Sequence, residues 1–357
     1  MDVIDQDRAD GLRMIRESAA GLAARGGDRK RIRALRFTKP GYDPEIYRQM
    51  AEQGWLGLRV AEQKGGAGLG MAEFCAIAEE LGAALAPEPL VPAALSAALL
   101  AAAAADAPAQ LAKLLEGSEY IATAWQEAPA ALIAPGTSKA PRRFIPYAGG
   151  ASGFLVPVQT ATGLALFLQP AAHAALTLED TQDGGQFGTL TPEGGVLLAE
   201  NIGDALAQAL EEAVLGTAAT LLGVMDQAFA LTLEYLRTRQ QFGKLIGSFQ
   251  ALQHRAADLN LQLALTRASV GAAAEVLDNP STTVPERQAA VSGAKARAAE
   301  AAMLLTRQAV QLHGGIGYTD EADIGLYLRK AMTLANQFGS AAAHRKRYAA
   351  CAPEEEA

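Results

Sequence analysis

The fold is decided by the stretch Arg237-Thr-Arg-Gln-Gln-Phe-Gly-Lys-Leu-Ile-Gly-Ser-Phe-Gln-Ala-Leu-Gln-His-Arg-Ala-Ala-Asp-Leu259. On both sides of the break in this stretch, apolar residues recur at three- and four-residue steps, the period of one helix face. They are Leu221, Met225, Phe229, Leu233 and Leu236 before it, and Leu252, Leu259, Leu263 and Thr266 after it. Phe242-Gly243 and Ile246-Gly247-Ser248 interrupt the period. The sequence predicts two long helices joined by a short elbow, with Ser248 as a candidate cap of the second helix.

The elbow carries a cation and an aromatic ring three residues apart. The Arg239 guanidinium is a fork that matches phosphate, and Phe242 offers a flat face. This pair predicts a binding site for a cofactor with a phosphate and a ring. Charged helix ends are common, however, so a hairpin with merely solvated arginines is the alternative.

Two signatures resemble those of the acyl-CoA dehydrogenase family. The pattern R-x-x-F-G-x-x-I-G-x-F-Q-A-x-Q-H-R-x-A-D-L, starting at Arg239, is similar to that family's long-helix hairpin. Gln311-Leu-His-Gly-Gly-Ile-Gly-Tyr-Thr-Asp-Glu321, followed by Tyr327-Leu-Arg329, resembles its C-terminal signature. The resemblance implies a mainly α fold with a small central β-domain: an α-helical domain, the β-domain and a C-terminal four-helix bundle.

Changes of hydrophobic period predict three domains, at residues 1–117, 118–204 and 205–357. Helical stripes precede residue 118, and helical periods resume at about Ala205, with Ser281 or Thr283 as a candidate cap of a later helix. Short apolar runs with turn residues between them indicate strands in the middle domain. These runs are Tyr120–Trp125, Gly153–Val158, Leu164–Leu168 and Gly195–Leu198.

Composition excludes several classes of protein. The net charge of −8 argues against nucleic acid as a partner. Cys75 and Cys351 lie far apart and without metal-ligand spacing, which favours a reducing cytoplasm. The N-terminus shows no signal-peptide pattern, and the alanine-rich run 91–107 is interrupted by polar residues and proline, so we predict no membrane span there.

Two further stretches of the N-terminal part invite an interpretation. The basic run 29–33, within residues 25–39, is predicted to be a solvated loop. The glycines of 65–70 follow no buried strand, so we expect a tight turn before a helix Met71–Leu81 rather than a dinucleotide-binding loop.

The resemblance also locates the chemistry that this chain lacks. The family removes a proton from the carbon α to a thioester with a carboxylate base, at one of two positions that correspond here to Phe338 and Ala213. Neither side chain accepts a proton, so we predict no catalytic residue. Glu212 is expected to be an ordinary exposed glutamate, and His254 and His313 to serve packing.

The family's cofactor is FAD, and its hairpin and Gln-x-x-Gly-Gly turn reach across an interface to a neighbour's flavin. The resemblance therefore assigns Arg239, Phe242, Gln250, Gln311 and Gly315 to a flavin held mainly by another chain. The family's Thr-Glu-Pro and Gly-Ser-Asp elements are replaced by Ala124-Trp-Gln-Glu-Ala-Pro129 and Pro141-Arg-Arg-Phe-Ile-Pro146, so the ring-side groove is predicted to be lost.

This combination resembles the small subunit of heteromeric bacterial acyl-CoA dehydrogenases of steroid side-chain or pimeloyl-CoA type. It implies a larger homologous subunit in a heterotetramer, an acyl-CoA substrate and an electron-transferring flavoprotein as acceptor. Two alternatives stay open. One is a self-sufficient homomeric dehydrogenase with a displaced base such as Glu212, and the other is a non-enzymatic CoA-ester or partner-binding protein on the same fold.

Overall fold

The computed structural model describes residues 3–24, 27, 29–103, 109–128, 132 and 140–351, with side chains from Asp10 onward. These residues form eleven α-helices and nine β-strands. The helices are α1 Val3–Leu22, α2 Lys30–Leu35, α3 Pro44–Glu52, α4 Met71–Ala84, α5 Leu90–Ala102, α6 Ala109–Leu115, α7 Gly203–Thr238, α8 Gln250–Asp278, α9 Val284–His313, α10 Ile324–Asn336 and α11 Ala341–Cys351. The strands are β1 Ile121–Thr123, β2 Arg142–Pro146, β3 Gly153–Thr160, β4 Gly163–Pro170, β5 Ala175–Asp180, β6 Gln186–Thr191, β7 Val196–Ala199, β8 Gln240–Gln241 and β9 Lys244–Leu245.

The chain divides into two compact units. The first comprises Met1–Arg29, Cys75–Ala86 and Thr217–Ala357, and the second comprises Lys30–Phe74 and Pro87–Gly216. The boundary at Gly216 falls within α7. The three-domain division at 117/118 and 204/205 stays a prediction.

The first unit is a helical bundle built from the second half of α7 and from α8 to α11. The predicted apolar stripes are its core: Leu221, Met225, Leu259, Leu263 and Thr266 are buried. The predicted cap at Ser248 is wrong. Helix α8 starts after Phe249, and the Ser248 hydroxyl donates to the carbonyl of Leu245 instead, 2.7 Å away.

Helix α9 has the cap that the sequence predicts at one of its two candidates. The Thr283 hydroxyl accepts from the amide of Glu286, and the Glu286 carboxylate accepts from the amide of Thr283 at 2.7 Å. This reciprocal capping box satisfies two backbone donors at the helix start. Ser281 lies before it and is not the cap.

The second unit contains the β structure. Strands β1, β3, β4 and β7 form one sheet in the order β1-β3-β4-β7, with β1 parallel to β3, and β2, β6 and β5 form an antiparallel sheet. The four predicted runs correspond to the first sheet. The second sheet was missed because its strands alternate polar and apolar residues or carry arginines, as half-exposed strands do.

The solvated-loop prediction for the basic run is wrong. Residues 30–35 form α2, and Arg29 before it is only 5% exposed. In the first unit, Arg29 donates to the hydroxyl of Tyr327 at 2.6 Å. In the second unit, Arg31 forms an ion pair with the buried carboxylate of Glu88 at 2.6 Å. These partners lie far along the chain, so the charge run alone does not reveal them.

The glycine-rich stretch 65–70 is a loop between a 3₁₀ turn and α4, as expected, and no strand precedes it among the described residues. Helix α7 is long and apolar enough to span a membrane, but 72% of its most apolar window is buried inside the fold. That burial is typical of a core helix.

Candidate functional site

The predicted elbow between α7 and α8 is a small β-hairpin. Strands β8 and β9 pair, and the amide of Ile246 donates to the carbonyl of Arg239 at 2.9 Å. Two residues at positive φ make the turn, Phe242 at 53° and Gly243 at 75°. Glycine adopts this conformation freely, but phenylalanine does so only at a cost.

The hairpin directs its predicted cofactor residues outward. Arg239 and Gln250 are exposed, and Phe242 is 90% exposed. The Phe242 ring meets Phe249 edge-on at 6.2 Å, and the Lys244 ammonium lies 4.3 Å from the centre of the Phe249 ring. The tip of the hairpin is therefore a cationic and aromatic surface, and Lys244 is a member that the sequence reasoning missed.

The second signature forms a turn after α9. The amide of Gly314 donates to the carbonyl of Gln311, and Gly314–Tyr318 continues as a 3₁₀ turn. Gln311 and Gly315 are exposed. A Cβ on Gly315 would meet no heavy atom within 4 Å, whereas one on Gly317 would lie 2.5 Å from the carbonyl oxygen of Val310. The backbone at Gly315 is thus open to an approaching molecule.

A stacked ring pair holds the hairpin and this turn together. Tyr235, one helical turn before Arg239, stacks on His313 with ring centroids 4.5 Å apart. His313 donates through Nδ1 to the carbonyl of Ala309, and burial lowers its pKa. His313 serves packing, as the sequence indicated. Tyr235 was missed, although it lies one helical turn before Arg239, whose amide donates to its carbonyl at 2.9 Å.

Phe338, the first predicted base position, lies in a tightly held turn of the first unit. It is 5% exposed with φ 54°, and its carbonyl accepts from Nε2 of His344 at 2.9 Å. The buried Lys295 ammonium donates to the carbonyls of Ala335 and Gly339, each at 3.0 Å. This turn is a structural element with a hydrocarbon side chain at its centre.

Ala213, the second predicted base position, lines a cavity of the second unit. The cavity measures about 10 Å³, room for about one water molecule. Its lining is apolar apart from one ion pair, Arg59 with Glu212 at 2.9 Å. The prediction that Glu212 is an ordinary exposed glutamate is therefore wrong, because its side chain is only 14% exposed. Arg59 also donates to the carbonyl of Leu69, and sequence pattern offers no signal for either contact.

The two stretches that replace the family's ring-side elements contact each other. The fully buried Arg142 donates to the carboxylate of Glu127 at 2.7 Å and to the carbonyl of Pro157 at 3.1 Å. Pro129, the last residue of the first stretch, lies outside the described residues.

Family comparisons match most of the chain. "Acyl-CoA dehydrogenase, N-terminal domain" matches residues 10–117, and "Acyl-CoA dehydrogenase, C-terminal domain" matches residues 203–351. The acyl-CoA dehydrogenase IpdE2 of Mycobacterium tuberculosis is 34% identical over 89% of this chain and 90% of its own length. The chain belongs to the acyl-CoA dehydrogenase family. The acyl-CoA dehydrogenase IpdE2 of Mycolicibacterium smegmatis is similar too, 32% identical over 91% of this chain and 94% of its own.

Solved acyl-CoA dehydrogenase structures share the fold. A Tcur3481-Tcur3483 steroid ACAD variant superimposes with a TM-score of 0.84 at 27% identity, covering 96% of this chain and 98% of its own. The ChsE4-ChsE5 complex from Mycobacterium tuberculosis gives a TM-score of 0.85 at 25% identity, covering 97% and 98%. The predicted fold class and family are confirmed.

The cofactor of acyl-CoA dehydrogenases is FAD, and the exposed end of the first unit has a donor set that fits part of it. A guanidinium, two carboxamides, an aromatic ring and an open glycine backbone suit a pyrophosphate and the rings beside it. Among the described residues, no group of three or more His, Cys, Asp or Glu side chains is arranged to hold a metal ion.

Proposed function

We propose that this chain is the subunit without a catalytic base in a heteromeric, FAD-dependent acyl-CoA dehydrogenase. A larger homologous subunit supplies the base and most of the flavin site, and the substrate is an acyl-CoA thioester from lipid or steroid breakdown. The enzyme is a cytoplasmic heterotetramer that passes its electrons to an electron-transferring flavoprotein.

The observation that carries the proposal is an outward-facing cofactor end combined with two base positions that hold hydrocarbon side chains. Phe242 has a strained backbone conformation, and its ring is 90% exposed. A second chain that covered the ring would offset the free-energy cost of this strain. Ala213 and Phe338 offer no proton acceptor. The two solved relatives with paired names, Tcur3481-Tcur3483 and ChsE4-ChsE5, support an assembly of two different chains.

In the assembled enzyme, each exposed residue has a role that follows from its chemistry. Arg239 would hold the cofactor pyrophosphate, Phe242 would pack beside it, and Gln250 and Gln311 would offer carboxamide donors. The open backbone at Gly315 lets the adenine side approach. When bound, FAD would supply the acceptor for the hydride that leaves the β carbon of the thioester. A base of the mate removes the α proton.

The test is the FAD affinity of the complex carrying Arg239→Ala. Loss of a charge-assisted hydrogen bond costs about 1.5–3 kcal/mol, so we expect FAD to bind roughly 10- to 150-fold more weakly. Titration of the apo complex with FAD, followed by flavin fluorescence, measures this. Arg237→Ala is the matched control, since Arg237 is an exposed arginine in the last turn of α7, two residues before Arg239, and side chains two positions apart on a helix point about 200° apart. Equal FAD affinity in both variants would count decisively against the assignment.

A second candidate, the homomeric enzyme with a displaced base, draws on one observation. Glu212 lies beside Ala213 in the wall of the same cavity. Two observations argue against this candidate: the cavity has room for about one water molecule and not for a thioester, and the Arg59 guanidinium holds the Glu212 carboxylate in the cavity wall.

A further inference from the structure

Near the end of helix α9, Gln308 carries a buried polar atom without a partner. The side chain as a whole is half-buried, and its carboxamide oxygen is shielded from solvent. Among the described residues, no hydrogen-bond donor pairs with this oxygen. A buried acceptor without a donor costs free energy, so this oxygen points to a donor that another molecule supplies.

The packing of α8 against α9 locates Gln308 along the bundle. Residues 279–283 join the two helices, which run antiparallel, and Arg297 of α9 donates to the carboxamide oxygen of Gln262 of α8 at 3.1 Å. Gln308 lies about three helical turns beyond Arg297 and within about 20° of it around the helix axis. About three turns back from Gln262 along α8 lies Ala251. Gln308 is therefore on the α8 side of α9, level with the first turn of α8.

This position puts Gln308 beside the exposed residues assigned to the cofactor. Gln250 directly precedes Ala251 on α8. Gln311 lies three residues after Gln308, and residues at that spacing are neighbours on a helix surface. Gln250 and Gln311 are exposed, and so is Gly315, whose backbone is open. Gln308 is thus the inner member of a group of carboxamides at this end of the bundle.

The adenine of the dinucleotide offers a group that matches this side chain. Pyrophosphate has no N–H group, whereas adenine has an exocyclic amino group that donates and, beside it, a ring nitrogen that accepts. A glutamine carboxamide fits both, because its oxygen accepts from the amino group while its NH₂ group donates to the ring nitrogen. Gln308 is half-buried, so rotation about its flexible side-chain bonds turns the carboxamide outward, toward Gln311.

We propose that Gln308 is a further cofactor-binding residue, whose carboxamide pairs with the amino edge of the FAD adenine. The inference rests on the proposed function, since it needs the flavin at this surface. It adds selectivity for adenine over other purine bases, which the contact of Arg239 with a phosphate does not provide.

The first test compares FAD with flavin hypoxanthine dinucleotide, in which oxygen replaces the adenine amino group. The apo complex of this chain with its mate is titrated with each dinucleotide, and flavin fluorescence gives both Kd values. The wild type should bind FAD about 5- to 100-fold more tightly than the analogue. Gln308→Met keeps the length of the side chain without its carboxamide and should lower this preference to about twofold or less. Gln262→Met is the matched control, because Gln262 belongs to the same helix contact but is paired with Arg297, and it should keep the wild-type preference.

The second test needs no flavin. In the full chain alone, Gln308→Met removes a buried acceptor that has no donor, so the urea midpoint of unfolding should rise. Gln262→Met should lower the midpoint, because the Arg297 guanidinium loses an acceptor. Circular dichroism follows both transitions. A midpoint that falls in Gln308→Met would show that the carboxamide is satisfied within the chain, against the proposal.

The outcomes separate this inference from the proposed function. If Arg239→Ala weakens FAD binding while Gln308→Met keeps the full preference for FAD, the adenine contact is wrong and the proposed function stands. If Gln308→Met weakens the binding of both dinucleotides by the same factor, the carboxamide pairs with a donor other than adenine, and the inference is again wrong. Unchanged FAD affinity in Arg239→Ala would overturn both.

Discussion

At the scale of single residues, Phe242 combines a strained backbone with an exposed ring. Its backbone lies in a region that costs a bulky residue about 1–3 kcal/mol, and its ring gains nothing from burial within this chain. Backbone strain of this kind clusters at active sites and ligand-binding segments, so we interpret Phe242 as a contact residue. The neighbouring Arg239, Lys244 and Gln250 are exposed too, so the whole tip has the character of a contact surface.

Glu212 is the residue whose substitution separates the two enzyme hypotheses. Glu212→Gln, assayed in the complex with the mate, should leave turnover nearly unchanged, because its carboxylate neutralises Arg59 instead of taking a proton. A glutamine retains a hydrogen bond to Arg59. Steady-state rates at equal flavin content give the measurement.

The variant to compare with Glu212→Gln is one in which the carboxylate base of the mate is replaced. That replacement should lower turnover by about 10²–10⁴-fold. A comparable loss from Glu212→Gln, with the fold and flavin content intact, would favour the homomeric enzyme.

His344 makes the stability of this chain sensitive to acid. Burial, and then the nearby Lys295 ammonium, lower the pKa of His344 from 6.5 to about 3. Burial also lowers the pKa of Lys295 to about 7. In the folded state His344 stays neutral, donating to Phe338 and accepting from the Ser292 hydroxyl at 3.3 Å.

Between these two pKa values, His344 is therefore protonated in the unfolded chain and neutral in the folded chain. Stability from this residue is fully present above pH 6.5 and is lost as the pH falls toward 3. Between about pH 6.5 and 5.5 the free energy of unfolding should drop by about 1 kcal/mol from His344 alone. Urea unfolding of the wild type and of His344→Gln at both pH values measures it. The same drop in the variant would show that other groups cause the loss.

At the scale of elements, glycines decide how closely α4 and α7 pack within the first unit. A Cβ on Gly223 would lie 1.8 Å from the carbonyl oxygen of Glu79, and one on Gly82 would lie 2.1 Å from that of Thr220. Backbone meets backbone at both points, so no rotamer change relieves the clash. Glu79 itself is nearly buried and accepts from Arg16 at 2.7 Å, which anchors α1 to the same place.

Gly223→Ala should therefore destabilise the chain by about 3 kcal/mol or more, at the upper end of overpacking costs. Gly11→Ala is the control in the exposed middle of α1, where an added Cβ meets nothing within 4 Å. It should stabilise by about 0.5–1 kcal/mol because alanine favours the helix. Chemical denaturation gives both values. A small loss of unfolding free energy in Gly223→Ala would mean that α4 and α7 can move apart at little cost.

At the scale of the whole molecule, the proposal predicts the flavin content. The chain expressed alone should be colourless, and the complex with its mate should hold one FAD for each pair of different chains. The reason is that this chain presents one end of a site, while Arg142 and Glu127 join the two stretches where the ring-side elements would lie. Flavin absorbance against protein mass measures the ratio.

A yellow chain with turnover of its own would point to the homomeric enzyme. A colourless chain that acquires no flavin with any homologous neighbour would point to the binding protein instead.

The sequence by itself determined the long helices, the break between them and the family, because helix period, glycine breaks and local signatures are properties of neighbouring residues. It also identified Ala213 and Phe338 as side chains unable to accept a proton. Only the tertiary structure decided the rest. The predicted solvent exposure was wrong for Arg29, Arg31 and Glu212, because each side chain contacts a residue distant along the chain. The sheet β2-β6-β5 formed from strands whose apolar pattern is weak. Burial and ion pairing depend on which segments, distant along the chain, come into contact, and a local sequence pattern does not contain that information.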